Sequence, residues 1–149
     1  MQFSLVLDEL ARKCGLGGLE PGGELSLLFD GRHTVTFLCD AEDRSVIMYA
    51  EICDVADLTP DKLSVLLEAS LLGSQTEGAA FSVARELGKL VLWKRHDDDF
   101  PDVAALERAI NSFLTAVITW KGRLASGTTD AEAAGAAFLP AADDGGLRA

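Results

Sequence analysis

Cysteine is scarce in this sequence, and the spacing of its cysteines does not match that of a metal site or a catalytic nucleophile. Three cysteines occur among 149 residues, with no Cys-x-x-Cys or His-x-x-x-His pair. His33 and Cys39 are separated along a predicted strand by about 20 Å, which is too far for two ligands of one ion or for a base and its nucleophile. We therefore predict that the stretch from Arg32 to Cys53 is a β-hairpin whose thiols are reduced and packed, not a metal or nucleophile site.

Long apolar runs are also missing. No segment approaches the roughly 20 apolar residues that are needed to cross a bilayer. Met1 leads into an amphipathic pattern without a basic start or a long apolar run, so no signal peptide is predicted. We expect a cytosolic protein without a membrane partner.

Positive charge is the minority sign. The chain has 13 Lys and Arg residues against 24 Asp and Glu residues, a formal net charge of −11. Such a chain repels phosphate backbones, so nucleic acid is not expected as a partner. The excess acid favours solubility, and a charge-steered partner is the alternative interpretation.

Catalytic signatures are absent as well. The sequence has no Gly-x-Ser-x-Gly elbow, and the glycines of "GLGGLEPGG" follow a predicted helix instead of preceding one, as a phosphate loop requires. The stretch "HDDDFPD" offers carboxylate oxygens at Asp97, Asp98, Asp99 and Asp102, but it lacks the glycine and spaced glutamate of an EF-hand. Helix capping is the favoured interpretation, and we predict no catalytic residue, no cofactor and no metal site.

What the sequence does contain is clear periodicity. Helical spacing predicts helices over residues 3–14, 58–73 and 100–124, and short alternating runs predict strands over 24–29, 33–39, 45–53, 79–87 and 90–95. Thr59 is expected to cap the second helix, whose stripe is predicted to be Leu63, Leu66, Leu67, Ser70 and Leu71, and Pro101 is expected to start the third. The fold class is α+β in the order α-β-β-β-α-β-β-α, an antiparallel sheet with helices packed on it.

The domain is predicted to end before the C-terminal segment. Residues 1–124 form one domain, and residues 125–149, rich in Ala, Gly and Asp, are predicted to be a mobile tail. The runs "LSLLF" and "LVLW" are apolar on both sides, which indicates a sheet covered twice or a dimer. Candidates for a sheet face without helical cover are Leu28, Leu38, Ile47, Tyr49, Leu92 and Trp93.

The order of elements resembles the class I type III secretion chaperones, the Tir-chaperone-like family. "LSLLFDGRHTVTFLCDAEDRSVIMYAEI" is similar to the first three strands of that family, and "LTPDKLSVLLEASLLGSQTEGAAFSVARELGKLVLWKR" to its second helix and following strand pair. The resemblance covers Met1 to about Leu124. It implies a bacterial cytoplasmic homodimer without enzymatic activity, which binds the N-terminal region of one or a few secreted effectors as an extended segment and keeps it soluble for export.

The resemblance also implies where the partners bind. The effector grooves are expected on the first helix and first strands, at Phe3, Leu7, Leu28, Phe29, Val35 and Phe37. The dimer contact is expected within Leu63 to Leu87 and the adjoining strand, at Leu67, Leu71, Phe81, Val83 and Trp93. A secretion-apparatus ATPase is a further expected partner.

Two alternatives stay open at the level of sequence. One is a regulatory protein-interaction module of the same fold, which binds a resident regulator instead of an exported effector. The other is an enzyme or small-ligand binder that uses Asp97 to Asp102 or His33.

Overall fold

The structure is a computed structural model, and it describes residues 3–13, 23–40, 42–97 and 99–127. Its helices are α1 (Phe3–Lys13), α2 (Pro60–Ala69) and α3 (Val103–Ser126), and its strands are β1 (Glu24–Phe29), β2 (His33–Asp40), β3 (Ser45–Asp54), β4 (Ala80–Ala84) and β5 (Lys89–Asp97). Two short 3₁₀ turns occupy Val55–Asp57 and Leu71–Gly73. The predicted α+β class and the order of elements are confirmed.

The described strands form one antiparallel sheet in the order β1-β2-β3-β5-β4. Tight turns join β2 to β3 and β4 to β5. Between β2 and β3, the side chain of Asp40 accepts hydrogen bonds from the backbone N–H groups of Glu42 (3.0 Å) and Asp43 (3.1 Å). Gly88 turns the chain between β4 and β5 with φ of 64°, a conformation that glycine adopts without strain. The predicted meander and hairpin are therefore confirmed, and β5 joins the meander at β3.

Helices α1 and α3 pack on one face of this sheet. Alternation along β2 and β3 directs Val35, Phe37, Val46 and Met48 into that core, and all four side chains are completely buried. Helix α3 contributes Phe113 and Trp120, which are also sealed from solvent. Burying an apolar side chain of this size stabilises the fold by about 1.5–3 kcal/mol.

Helix boundaries differ from the predicted ones for reasons of local geometry. Thr59 caps α2 as predicted, since its hydroxyl accepts from the Lys62 N–H at 3.3 Å. The helix ends at Ala69, four residues earlier than predicted, because Leu72 has a φ of 52° that no α-helix accepts. Helix α3 starts later than predicted, because Asp102 is its cap, with its carboxylate accepting from the Ala105 N–H at 2.7 Å, and Pro101 lies outside.

The predicted boundary between domain and tail falls inside α3, which continues through Ser126 to a left-handed cap at Gly127. Residues 128–149 lie outside the described residues, as do Cys14 and Asp98. Within the described ranges, every helix is too short or too polar to span a bilayer.

Candidate functional site

Helix α2 has two apolar faces, and only one of them meets the core. Val65, Leu66 and Ala69 are buried. On the other side, Leu67 is 70% exposed and Leu72, just beyond the helix, is 79% exposed. We call the four leucines of this side the α2 surface; they are Leu63, Leu67, Leu71 and Leu72. The predicted stripe is therefore half right, because Leu66 faces the core whereas Leu63, Leu67 and Leu71 face solvent.

The segment after α2 holds this surface in place through backbone anchors. The Ser70 hydroxyl donates to the Leu66 carbonyl (2.9 Å) and accepts from the Phe81 N–H (3.1 Å), which ties α2 to β4. The Trp120 indole donates to the Gln75 carbonyl at 3.0 Å, which ties the turn to α3. The loop is thus fastened to two neighbouring elements.

The turn between Gly73 and Gly78 requires a close approach of these two glycines. A Cβ added at Gly73 would lie 2.3 Å from the Cα of Gly78, and Gly73 has φ of +68°. Any side chain there would collide with backbone. Helical spacing placed Leu72 in a helix and did not indicate its exposure, although Gly73 and Gly78, the first and last residues of "GSQTEG", were the available signal.

The residues predicted for the dimer interface divide between two sheet faces. Val83 on β4 is 50% exposed, and Leu67 and Leu71 of the α2 surface are 70% and 52% exposed. Phe81 is half-buried and meets the Trp120 ring edge-on, with ring centroids 5.2 Å apart. Trp93 points to the opposite face, where its indole donates to Ser82 at 2.7 Å. The structure thus brings three predicted residues to solvent on or near α2 and sets Trp93 apart.

The sheet face away from α1 and α3 is the second apolar surface. Strand register places Leu38 beside Ile47, and Tyr49 beside Trp93. Leu28 on β1 is 64% exposed and Leu38 is 37% exposed. We call this set the open face; its members are Leu28, Leu38, Ile47, Tyr49 and Trp93. Leu92 was predicted here wrongly, because it alternates onto the covered face and is fully buried.

Polar groups border the open face. The Tyr49 hydroxyl donates to Glu24 at 3.2 Å, and partial burial raises the pKa of Tyr49, with a smaller opposing effect from Thr36. Ser26 and Thr36 share a hydrogen bond of 2.8 Å between β1 and β2. The face is therefore apolar in its middle and hydroxyl-rich toward the β1 edge.

Among the residues predicted to bind an effector, only Leu28 is broadly exposed. Phe29 is half-buried, and the side chain of Phe3 lies outside the described residues. Leu7, Val35 and Phe37 are completely buried under α1 and α3, because strand and helix periodicity directs them into the core. In the single chain these three side chains offer no surface to a partner, which corrects their placement at a groove.

The residues considered for catalysis or metal binding stay dispersed. Asp97 and Asp99 are exposed, and Asp102 is occupied as a helix cap. The Nδ1 atom of His33 is buried without a hydrogen-bond partner in the described part of the chain. Within the same ranges, no group of three or more His, Cys, Asp or Glu side chains is arranged to hold a metal ion.

Several solved structures share this fold. The chain is similar to the ExsC–ExsE complex (23% identity, 81% of this chain and 92% of that chain, TM-score 0.67). It is also similar to the HopA1–SchA chaperone–effector complex (16% identity, 80% and 93%, TM-score 0.66). A third is the Yersinia pestis type III secretion chaperone SycH with a stable fragment of YscM2 (16% identity, 79% and 98%, TM-score 0.60). At these identities the structures establish a shared fold.

Sequence comparison identifies the family. No curated protein sequence matches the chain significantly. The profile of the Tir chaperone protein (CesT) family matches residues 6–121, from α1 to the last turns of α3. That match spans both the α2 surface and the open face. The chain belongs to the Tir chaperone protein (CesT) family.

Proposed function

We propose that the protein is a type III secretion chaperone that acts by binding and has no enzymatic activity. It binds the N-terminal region of a secreted effector as an extended segment and keeps that segment soluble and ready for export. One observation carries this proposal: a member of a chaperone family has two apolar surfaces, the α2 surface and the open face, that no other described part of the chain covers. Contiguous exposed apolar surface is typical of protein-interaction sites.

The α2 surface supports a homodimer. Leu63 and Leu67 lie one turn apart on the same side of α2, and the exposed Leu71 and Leu72 follow in the 3₁₀ turn beyond the helix. Val83 and Leu87, both at least half exposed, add apolar area on and beyond β4. A two-fold axis would set this surface against its own copy, which covers both copies at once.

The open face and the β1 edge support an extended client. Strand β1 pairs only with β2 in the described sheet, so its outer backbone edge is available to an added strand. Exposed Leu28 lies on that strand opposite Thr34, and Leu38 lies on β2 opposite Glu24, at the other end of the β1–β2 pair. Backbone pairing supplies affinity with little demand on sequence, and the apolar side chains supply selectivity.

Co-purification from the native host tests the client. We expect the tagged chain to capture an exported protein, identified by mass spectrometry through peptides from its N-terminal region. Leu28→Asp should reduce this capture at least about tenfold, as loss of a buried anchor does. Ile118→Asp, an exposed residue of α3 on neither surface, is the matched control. Capture of a resident regulator alone would support the rival interpretation, a regulatory module, and contradict the proposal.

The same proposal includes a cellular location and one further partner. A bacterial cytoplasmic location and a contact with a secretion-apparatus ATPase are expected of a chaperone that delivers its client to the export machinery. The tagged chain should bring down the ATPase only when the client is expressed. Equal recovery of the ATPase with and without client would contradict that order of assembly.

A further inference from the structure

Strands β2 and β3 separate from each other before either of them ends. Backbone pairing between the two strands stops at Thr36–Tyr49, whereas β3 continues beside β5 and β2 continues beside β1. We call this opening the β2–β3 split; it lies between residues 33–35 of β2 and residues 50–54 of β3. Within the described residues, these two stretches pair only with their outer neighbours. The sheet therefore has two backbone edges in its interior as well as its two outer edges.

A β-bulge in β3 explains the separation. The register between β3 and β5 shifts between Glu51 and Cys53, so Ile52 is an extra residue on β3. A bulge bends its strand and increases the local twist. The bend comes just after the last β2–β3 pair, and β2 stays paired with β1 instead of following it. The split is thus a consequence of the local structure of β3.

The split passes through the sheet. A cleft of about 390 Å³ reaches Ala50, which alternates onto the covered face, and Lys121 of α3, which packs on that face. The same cleft is lined by polar side chains that alternate onto the open face, namely Glu24, Ser26, Thr34, Thr36, Tyr49 and Glu51. A cleft that touches both faces runs between the two strands.

A second cleft, of about 400 Å³, lies on the covered side next to the split. Its lining includes Ile52 and Cys53 of β3, together with Leu58 and Leu124. The two clefts lie mainly on opposite sides of the sheet, and only Lys121 lines both. Neighbouring residues along β3 therefore border a polar cleft on one face and a more apolar cleft on the other.

Charge does not select the occupant of the split, because Arg32 and Lys121 in the first cleft are balanced by Glu24 and Glu51. The backbone edges do select it, since backbone N–H and C=O groups inside a protein are almost always paired. An extended segment presents its own N–H and C=O groups to strands on both sides, and its side chains point alternately to the two faces. Both features of the split therefore favour a β-strand.

We propose that the β2–β3 split accepts an extended, uncharged segment of a bound polypeptide as an inserted strand. Alternate side chains of this segment enter the polar first cleft and the more apolar second cleft, so hydroxyl or amide side chains alternate with aliphatic ones. The identity of that polypeptide as the secreted client rests on the proposed function. The split then gives the client a strand site inside the sheet, in addition to the outer edge of β1.

A synthetic peptide tests the site without a client. The capped peptide Thr-Val-Ser-Val-Thr-Val-Ser has the required alternation, and saturating peptide should slow hydrogen exchange of the amides that face the split, in 33–35 and in 50–54, at least about tenfold. A copy N-methylated at every second residue keeps the side chains but can pair on one side only. It can still add to an outer edge, and it should not protect the split.

Two results of this comparison would overturn the proposal. One is protection confined to β1 or β4, which would show that the peptide adds to an outer edge. The other is equal protection of the split by the peptide and its N-methylated copy, which would show that pairing on both sides is not needed. Absence of protection at residues 33–35 and 50–54 would have the same consequence.

A substitution in α3 provides a second test. Lys121→Trp should block the split from the covered face and abolish the protection of residues 50–54 by the peptide. Thr119→Trp, two residues away on the exposed side of α3, is the matched control and should leave that protection intact. Denaturant unfolding shows whether both variants fold, and full protection in folded Lys121→Trp would contradict the proposal. The peptide comparison in the wild-type chain does not depend on either variant.

The client separates this site from the chaperone function. The N-terminal segment of a captured client should slow exchange at the same amides as the peptide. A client that binds and leaves residues 33–35 and 50–54 unprotected would overturn the strand site while the chaperone function stands. Protection of the split by the peptide, without any exported protein captured from the host, would support the strand site and contradict the chaperone function.

Discussion

Helices α2 and α3 have similar apolar spacing but different surroundings. Helix α3 buries eight residues along one stripe, from Val103 to Leu124. Helix α2 buries three, and leaves Leu63 and Leu67 in solvent, as it does Leu71 just beyond its end. The two helices differ in what packs against them. The sheet covers the apolar stripe of α3, whereas no described element covers the second apolar face of α2. Apolar periodicity therefore predicts a helix, and the neighbours decide whether its leucines build a core or an interface.

The largest expected effect is on the core side of this comparison. Phe113→Ala should lower the free energy of unfolding by about 3–5 kcal/mol, because it opens a cavity in a sealed part of α3. Ile118→Ala, on the exposed side of the same helix, should change it by less than about 0.5 kcal/mol. Denaturant unfolding measures both. Equal losses in the free energy of unfolding for the two variants would contradict the burial of only one side of α3.

The second prediction concerns the exposed side of α2. Leu67→Asp with Leu71→Asp should weaken self-association at least about 100-fold, as expected when two interface anchors worth about 2 kcal/mol each are lost. Light scattering across a concentration series measures the change, and Ile118→Asp is the control. A wild-type chain that stays monomeric at micromolar concentration would contradict the homodimer itself.

The third prediction tests the turn that presents Leu72. Gly73→Ala should lower the free energy of unfolding by more than about 2 kcal/mol, since a Cβ there meets the Gly78 backbone and the left-handed φ adds strain. Gly88→Ala has a similar φ of +64° but no atom within 4 Å of the added Cβ. It should cost only about 1 kcal/mol. Equal losses would show that the close approach of Gly73 and Gly78 contributes nothing.

The smallest expected effect is a pH dependence at the junction between β5 and α3. Burial lowers the pKa of His96, with a smaller contribution from Lys94, and the ring packs beside Phe100 with centroids 5.6 Å apart. Asp97 acts in the opposite direction. Because the neutral ring is favoured in the folded state, this contribution is complete above the unfolded pKa of about 6.5 and declines as pH falls below it.

His96→Asn tests that linkage. Between pH 7.5 and pH 5.5 the variant should lose less stability than the wild type, as measured by denaturant unfolding at each pH. Parallel pH profiles for the two proteins would show that His96 has the same pKa in both states.

Sequence reasoning recovered the strands better than the surfaces. The alternating runs predicted strands β2 and β3, and the structure buries Val35, Phe37, Val46 and Met48 on one face of them, because side chains of a strand alternate whatever the partner. The same pattern did not show that Val35 and Phe37 are too deep to meet an effector. Leu92 was misplaced for a similar reason, since both faces of "LVLW" are apolar and only strand register distinguishes them.

The sequence by itself determined the order of elements, the Thr59 cap and the turn at Asp40, because these depend on local spacing and local hydrogen bonds. Its match over residues 6–121 determined membership of the Tir chaperone protein (CesT) family. Only the tertiary structure decided which leucines are sealed, that β2 separates from β3 beyond Thr36–Tyr49, and that Leu72 stands out beside α2. Those outcomes depend on contacts between residues far apart in the chain, such as Trp120 with Gln75, and no local pattern encodes the distance between them.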